Sequence, residues 1–330
     1  MAANLRRLHN KTKQQMKIST PWHSWQNYKF GSISLCMIMK NEAARLGRCL
    51  NSVRGLCDEI IIVDTGSSDR SPEIATSYGA KVIHDPWQDD FARPRNIGLD
   101  RARCNWVLIL DPDEILLPQH HLIVKQLTQR LDFAAFWVST LNWGPFCHEH
   151  GYRTAPDIKD PLGHYPGYRP STKTRFFKNG LGIRFEGCYH ELVDYFLVRN
   201  KLRIGRAHFP VHHWTHEIVQ SSLQEKKELY LRLGAKKVRE FPTMGQAWWE
   251  YGVSQMIYGD RANAVKSIAT AIRLGRCDSE QYFALARCLE LLLNKKQSAL
   301  AFEKGICDLY PNLTHIDNAL KLQETLLNSI

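Results

Sequence analysis

The chain has 330 residues, of which 44% are hydrophobic and 23% are charged, and its formal net charge is +11. This composition is ordinary for a globular protein, and at roughly 150 residues per domain the length predicts about two domains. No apolar run approaches the ~20 residues that span a bilayer, and no zinc-finger, RRM or KH signature accompanies the charge. We therefore expect neither a transmembrane helix nor a nucleic-acid partner.

The first 30 residues are basic. Seven lysines and arginines precede Glu42, which is the first acidic residue of the chain. We predict that residues 1–30 are a disordered tail. Because no apolar segment resembles a secretory signal, we expect a cytoplasmic protein. The tail could hold it at the anionic inner face of a membrane, as a peripheral contact, or it could simply keep the protein in solution.

Strand and helix patterns alternate along the next part of the chain. Apolar runs predict the strands, and amphipathic segments between them predict the helices. The predicted strands are residues 32–39, 59–63, 81–84 and 106–110, and the predicted helices are residues 46–53, 72–78 and 91–102. Such alternation with short links is typical of a parallel, Rossmann-like sheet with right-handed crossovers.

Polar or acidic residues follow three of these strands, at 40–42, 64–69 and 111–114. The carboxyl ends of parallel strands meet at one edge of the sheet, where ligands bind. No G-x-G-x-x-G follows the first strand and no P-loop occurs, so neither an NAD site nor a P-loop is indicated. The carboxylates of Asp111 and Asp113 would be compensated by a divalent ion carrying a phosphorylated ligand. The alternative is a solvated acidic turn at a helix start.

Four segments, in order, resemble motifs of family 2 glycosyltransferases. They are Met-Ile-Met-Lys-Asn-Glu at 37–42, Ile-Val-Asp-Thr-Gly-Ser-Ser-Asp at 62–69, Phe-Ala-Arg-Pro-Arg-Asn at 91–96 and Leu-Asp-Pro-Asp-Glu at 110–114. The second is similar to the V-D-x-G-S-x-D signature, and the last is similar to the L-D-x-D-E form of the DXD motif. The resemblance implies a GT-A fold, a nucleotide-sugar donor and inversion at the anomeric carbon.

The resemblance also implies roles for single residues. The residues assigned to the donor are Lys40, Asn41, Glu42, Asp64, Arg95, Asp111 and Asp113. The first three would line the nucleotide pocket, and Asp64 would contact the base or ribose. Arg95 would lie near the diphosphate or brace Asp111. Asp111 would face the ribose and the metal, and Asp113 would bind the metal itself, Mn²⁺ or Mg²⁺, as a catalytic residue.

Two further predicted strands, 172–179 and 183–188, lead into a His-Glu pair that resembles the same branch of the family. Inverting transfer needs a base that takes the acceptor proton, and Glu191 is the candidate. Two alternatives stay open. Glu191 could be a structural carboxylate paired with Arg175, or another acid, with Asp194 the nearest, could be the base.

A histidine pair follows a predicted strand at 202–209. In the family a late histidine often completes the metal shell, and here His213 matches better, with His212 in reserve. The predicted metal ligands are therefore Asp111, Asp113 and His213. Thr215 and His216 depart from the expected motif, and a lone histidine is more often structural.

The pattern becomes helical from residue 218, with a repeat at 34-residue spacing. Trp248, Tyr251, Gly252, Ile268 and Ala271 recur as Tyr282, Leu285, Ala286, Phe302 and Gly305. This resembles tetratricopeptide (TPR) repeats, pairs of helices that bury their faces by stacking. We predict three parts: the tail at 1–30, a GT-A domain at 31–217 and an all-α TPR-like domain at 218–330. The last could bind a protein partner or act as a buttress.

The predicted function is transfer of a hexose from a nucleotide-sugar, by expectation UDP-linked, to a glycan acceptor such as lipopolysaccharide core. A peptide or protein side chain is the alternative acceptor. Two rivals come from other classes. A catalytically silent TPR scaffold would not need the intact acids, and a nucleotidyltransferase would need a Gly-rich loop in place of residues 40–42.

Overall fold

The computed structural model describes residues 30–145, 152–154, 158–214, 223–277 and 279–291, with the single positions 297, 300, 301 and 304. Several predictions lie outside the described residues. These are the tail up to residue 29, the domain boundary between 217 and 218, the departures at Thr215 and His216, and the repeat positions Phe302 and Gly305.

The described residues form nine strands of one sheet, with helices between and after them. The strands are β1 (Ile33–Met39), β2 (Glu59–Asp64), β3 (Lys81–His84), β4 (Trp106–Ile109), β5 (Glu114–Ile115), β6 (Ala135–Trp143), β7 (Arg153–Thr154), β8 (Gly167–Lys178) and β9 (Ile204–Trp214). The helices are α1 (Ala43–Ser52), α2 (Ser71–Ser77), α3 (Ala92–Arg101), α4 (His121–Leu127, after a 3₁₀ turn at Pro118–His120), α5 (Asp194–Arg199), α6 (Leu223–Glu240), α7 (Gly245–Ile257), α8 (Arg261–Arg273) and α9 (Ser279–Leu291).

The strand order is β3-β2-β1-β4-β8-β6-β9-β5, and β7 pairs with β8. The first four strands are parallel and are joined by α1, α2 and α3, as the alternating pattern predicts. β8 pairs antiparallel with both β4 and β6, so it extends the sheet into a mixed half. The predicted fold class, an α/β domain of the GT-A kind followed by a helical region, is confirmed.

The core lies on both faces of the sheet because the central strands are apolar throughout. All four residues of β4 are buried. Leu108 belongs to the cluster on one face, and its neighbours Val107 and Ile109 belong to the cluster on the other. Trp106 stacks on Phe176 of β8, with ring centroids 4.8 Å apart. The buried strand leads directly to residues 111–114, so the core places these acidic residues at the edge of the sheet.

Three predicted strands differ in the structure. The strand predicted at 172–179 begins earlier, at Gly167, because β6 pairs with it as far as Tyr168. Residues 183–188 do not form a strand and make one isolated bridge, between Glu186 and Leu192. Gly182 and Gly187 have φ angles of 72° and 94°, which bend this segment at both ends. The strand predicted at 202–209 continues to Trp214, because β6 pairs with it over that whole length. Backbone bends at the two glycines therefore prevent one strand, and pairing with β6 lengthens the others.

The helical region packs as neighbouring helices. The first-repeat residues lie on α7 and α8, and a Cβ added to Gly252 would meet Ile268 Cγ1 at 2.7 Å. The equivalent Tyr282 and Leu285 on α9 are fully buried. The TPR identity of these helices stays a prediction. In the part of the chain that the structure describes, no helix has the length and apolar composition to cross a membrane.

Candidate functional site

The loop after β2 is tied to the loop after β1 by side-chain hydrogen bonds. Asp64 is 2% exposed, and its carboxylate accepts hydrogen bonds from the backbone N–H (3.0 Å) and hydroxyl (2.6 Å) of Ser67. Its other oxygen lies 3.1 Å from Nδ1 of His84. Ser67 Oγ in turn accepts a hydrogen bond from the N–H of Asn41, and Asn41 Oδ1 accepts one from the N–H of Ser68. The signature at 62–69 therefore holds both loops at the sheet edge.

Asp69 holds the first turns of two helices. Its Oδ2 accepts a hydrogen bond from the N–H of Ala43, the first residue of α1, at 3.0 Å. Its Oδ1 accepts from the N–H (2.9 Å) and the hydroxyl (2.5 Å) of Ser71, the first residue of α2. Ser71 Oγ also accepts a hydrogen bond from the N–H of Glu42. One carboxylate thus satisfies first-turn donors of both helices that open beside the predicted donor pocket.

Arg95 joins two of the predicted site acids. Its Nη2 donates to Asp111 Oδ1 at 2.8 Å, and its Nε donates to Glu191 Oε1 at 2.5 Å. The side chains of Arg95 and Glu191 are 11% and 12% exposed, whereas that of Asp111 is 27% exposed. Burial favours the neutral form of Asp111, but Arg95, with help from Arg175 and Lys173, holds the pKa of this carboxyl well below its usual range. The structure therefore brings Arg95, Asp111 and Glu191 together.

Glu114 has a different role from the acids beside it. It is 3% exposed and forms a two-pronged ion pair with Arg175, which is 2% exposed. It also accepts a hydrogen bond from the backbone N–H of Asp111 at 2.9 Å. The alternative in which Glu191 pairs with Arg175 is therefore wrong, since Arg175 pairs with Glu114 and Glu191 pairs with Arg95. Glu114 braces the acidic turn from inside.

Asp194, the other candidate base, is occupied differently. Its Oδ1 accepts hydrogen bonds from the indole N–H of Trp137 at 2.9 Å and from the hydroxyl of Thr174 at 2.8 Å. Asp194 is the first residue of α5, so these bonds attach that helix to the sheet. The geometry assigns Asp194 to structure.

The two histidines of β9 point to opposite sides of the strand. His213 Nε2 lies 3.4 Å from Asp113 Oδ2, and its Nδ1 lies 2.9 Å from Asn142 Oδ1. Burial disfavours its charge, but Asp113, then Glu114 and Asp111, raise the pKa of His213 above its ordinary value. His212 is 2% exposed, accepts the indole N–H of Trp143 at 3.0 Å, and has a pKa lowered to about 4 by burial. Only His213 faces the acids.

The donor set fits a divalent cation in part. Asp113 and His213, each 25% exposed, meet across the β5–β9 pair, and Asn142 orients the imidazole from behind. Asp111 commits one oxygen to Arg95. Among the described residues no three His, Cys, Asp or Glu side chains are gathered as a complete metal site. A hard ion that keeps several waters and binds substrate phosphates needs only one or two protein ligands.

The predicted nucleotide pocket lies at the first turn of α1. Lys40 is exposed, and Asn41 takes a positive φ of 56° because its side chain and backbone both bond to the β2 loop. Glu42 pairs with Arg45 at 2.7 Å. Burial, against the effect of Arg45 and with a contribution from Asp113, raises the pKa of Glu42 to about 7. Asp113 and Glu42 therefore lie within electrostatic range of each other.

Sequence reasoning missed three groups around these acids. Lys173 lies on β8, beyond the last residue that pairs with β4, and its charge acts on Asp111. Lys226 and Tyr230 come from α6 of the helical region. Burial, Tyr258 and the acids Glu191, Asp113 and Asp111 raise the pKa of Tyr230 to about 12. Lys173 could have been suspected as a cation inside a strand, but no local signal marks α6.

Comparisons with known proteins show what the chain is similar to. Residues 34–188 match the family described as "Glycosyl transferase family 2". A TPR repeat-containing protein of Synechococcus elongatus is 39% identical over 162 residues, which cover 49% of this chain and 35% of that protein. An uncharacterized glycosyltransferase of Rickettsia bellii is 42% identical over 84 residues, which cover 26% of this chain and 28% of that protein.

Among solved structures, S. aureus TarS 1-349 in complex with UDP-GlcNAc is similar at 14% identity and a TM-score of 0.46, over 83% of this chain and 91% of that one. The chain spans about a third of the length of the two relatives above. The family match covers β1 to the loop before Glu191, which includes the three strand ends and Arg95. Residues 34–188 are therefore similar to a family 2 glycosyltransferase domain.

Proposed function

We propose that this protein transfers a hexose from a nucleotide-sugar, UDP-linked by preference, to an acceptor with inversion at the anomeric carbon. The observation that supports it most is the arrangement in which Arg95 bonds both Asp111 and Glu191 at the sheet edge. A buried arginine that spans two carboxylates fixes their spacing. Arg95 lies within residues 34–188, which match the model of glycosyl transferase family 2.

The donor is proposed to lie between the β1 and β2 loops and the acids after β4. Lys40, Asn41 and Glu42 would border the nucleotide, and Asp64 would hold the loop that carries it rather than reach far into the pocket, since it is 2% exposed. Asp113 and His213 would hold a Mn²⁺ or Mg²⁺ ion. The bound ion would neutralise charge that develops on the diphosphate as it leaves.

Glu191 is proposed as the general base. Its Oε1 is held by Arg95, which leaves Oε2 to take the proton of an acceptor hydroxyl. As the acceptor oxygen attacks the anomeric carbon, the bond from that carbon to the diphosphate breaks, and the nucleoside diphosphate leaves with the bonding electrons. The proton ends on Glu191. Such base assistance is worth roughly 10²–10⁴ in rate.

The acceptor stays a proposal between two classes. We rank a glycan such as lipopolysaccharide core first, because the basic tail favours an acidic, membrane-associated acceptor. A peptide or protein side chain ranks second, and the concave surface that TPR-like helices form would favour it. A cytoplasmic location is a further proposal, and a peripheral membrane contact is proposed from the charge of the basic tail. A silent scaffold is the rival function, and the pairing of Arg95 with both acids argues against it.

A thermal-shift panel of nucleotide-sugars, with and without Mn²⁺, tests the proposal. A ligand at 100 times its Kd should stabilise the protein by about 2.7 kcal/mol. We expect one UDP-sugar to raise the melting temperature only when metal is present. The Asp113→Ala variant should fold and lose this metal-dependent shift. If no nucleotide-sugar shifts the wild-type melt with any metal, the scaffold becomes the better interpretation.

A further inference from the structure

We propose that Lys237 of α6 and Glu250 of α7 are positioning residues that set the conformation of the loop presenting Glu191. The helical region would then be part of the active centre and not an appended binding module. This inference rests on the proposed function, because it takes Glu191 as the base. It arises from one buried ion pair that the proposed chemistry does not use.

Lys237 of α6 connects the helical region to the loop that precedes Glu191. Its ammonium donates to the backbone carbonyl of Tyr189 at 2.6 Å, to the carbonyl of His190 at 3.4 Å and to Glu250 Oε2 at 2.7 Å. The side chain is 1% exposed and that of Glu250 is 9% exposed. A lysine has three donors, and here all three are used. Two of them go to the two residues directly before Glu191.

The second oxygen of Glu250 is also bound. It accepts a hydrogen bond from Gln246 Nε2 at 3.0 Å, one turn earlier on α7. The carboxylate is therefore held in place on its own helix while it pairs with Lys237. Taking such a pair out of water is costly, so a buried ion pair by itself is weak evidence for a role in stability. Fixing one geometry is the role that the contacts support.

The loop has a backbone conformation that needs such support. His190 has a φ of 47°, in the left-handed region that residues with a side chain seldom adopt. Conformations of this kind persist where the surroundings impose them. The carbonyl of Tyr189, just before this residue, and the carbonyl of His190 itself both accept hydrogen bonds from Lys237. The ammonium therefore fixes the backbone conformation directly before Glu191.

Other contacts of the loop match the position of Lys237. A Cβ added to Gly187 would meet Cε and Nζ of Lys237 at 3.2 Å, so the loop passes directly against the lysine. The Tyr189 hydroxyl bonds to Ser254 Oγ of α7 at 2.7 Å. Cys188 and Tyr189 pack with Leu233 of α6 in one buried cluster. Helices α6 and α7 thus hold the loop from one side, and Arg95 holds Glu191 from the other.

The test compares kinetics and donor binding of Lys237→Met with Lys227→Met, the same change about three turns away on α6. We expect Lys237→Met to lower kcat roughly 10- to 100-fold, as a misplaced catalytic group does. Donor KM and the donor Kd from calorimetry should stay within about twofold. Lys227→Met should match wild type. Unchanged kcat in folded Lys237→Met would overturn the inference.

A double-mutant cycle separates positioning from general loss of stability. If Lys237 acts through Glu191, the Glu191→Gln/Lys237→Met variant should be no slower than Glu191→Gln alone. Multiplying losses in the double variant would refute the assignment. Should Lys237→Met fail to fold, Glu250→Gln replaces it with the same expectations. A wild-type protein that transfers no sugar, or a Glu191→Gln variant that is fully active, would instead count against the proposed function.

Discussion

Four carboxylates lie within reach of one another at the sheet edge, and each is distinguished by the cation that it contacts. Glu114 is buried against Arg175, Asp111 and Glu191 share Arg95, and Asp113 faces His213. Ion pairing therefore sorts acids of similar sequence into different roles. Glu191 combines an orientation fixed by Arg95 with a second oxygen that can take a proton. That combination is what a general base requires.

The first prediction concerns Glu191. Glu191→Gln keeps the shape of the side chain but cannot accept a proton, so transfer should fall roughly 10²-fold or more while donor binding is retained. Steady-state kinetics and donor calorimetry on the purified variant check this. Glu186→Gln is the matched control, because Glu186 lies on the same loop as Glu191 and pairs with exposed Arg199 of α5. Exposed ion pairs contribute little to stability. Near-normal turnover of Glu191→Gln would move the base elsewhere.

At the scale of elements, the loops between strands and helices carry the site because the helices start there. α1 begins directly after the β1 loop and α2 directly after the β2 loop, and Asp69 bonds first-turn donors of both. The motif at 62–69 is therefore a structural connection between two βα units as well as a candidate donor contact. Its polar residues are explained largely by what they hold in place.

The second prediction follows from this shared cap. Asp69→Ala should lower the free energy of unfolding by about 1–2 kcal/mol, because it leaves backbone donors of two helices without their acceptor. Chemical denaturation measures the change. Asp132→Ala, which removes an exposed partner of Arg130, should lower the free energy of unfolding far less, because exposed ion pairs contribute little. Equal effects of the two variants would refute the shared-cap interpretation.

The same bond predicts a pH dependence. Burial acts in the opposite direction, but the hydrogen bonds from Ser71 and Ala43 hold the pKa of Asp69 below its ordinary value. The contribution is therefore present above the unfolded pKa of about 3.9 and is lost as the pH falls through the folded pKa. The stability difference between wild type and Asp69→Ala should shrink in that acidic range.

For the whole molecule, the helical region is packed onto the α/β domain at the loop that carries Glu191. Tyr230 packs against Tyr189 with ring centroids 5.3 Å apart, Arg232 pairs with Asp89 at 2.7 Å, and Lys237 bonds the loop carbonyls. All three belong to α6, and Ser254 of α7 adds a hydrogen bond to Tyr189, so α6 and α7 together line this contact. The two parts should therefore unfold as a coupled unit rather than independently.

The third prediction tests that coupling. The Tyr189 hydroxyl bonds to Ser254 Oγ, which in turn donates to the carbonyl of Glu250. Tyr189→Phe should cost about 1 kcal/mol, the usual value for a hydrogen bond. The double variant with Ser254→Ala should cost less than the sum of the single variants, since the two groups interact. Tyr78→Phe, at a 37% exposed side chain, is the control. Strict additivity in denaturation would contradict a direct link.

By itself the sequence determined the parallel half of the sheet and the edge at which the polar residues gather. Apolar runs of strand length, helix starts and turn residues are local features, so β1 to β4 could be located within a residue or two at each end. The motifs at 37–42, 62–69, 91–96 and 110–114 are local features as well, because each is a short run of consecutive residues. Arg95, Asp111 and Asp113 could be nominated from them, and Glu191 from the His-Glu pair at 190–191.

Only the tertiary structure decided which of these groups meet. Glu114 finds Arg175 at a separation of 61 residues, and Arg95 finds Glu191 at a separation of 96. The pairing of β9 with β6 shows that His212 and His213 lie within one strand, so their side chains point to opposite faces of the sheet. Which of the two faces the acids could therefore be read only from the structure. The placement of α6 over the acids has no local signature. Charge partners and packed surfaces are set by distance in space, which a local pattern does not contain.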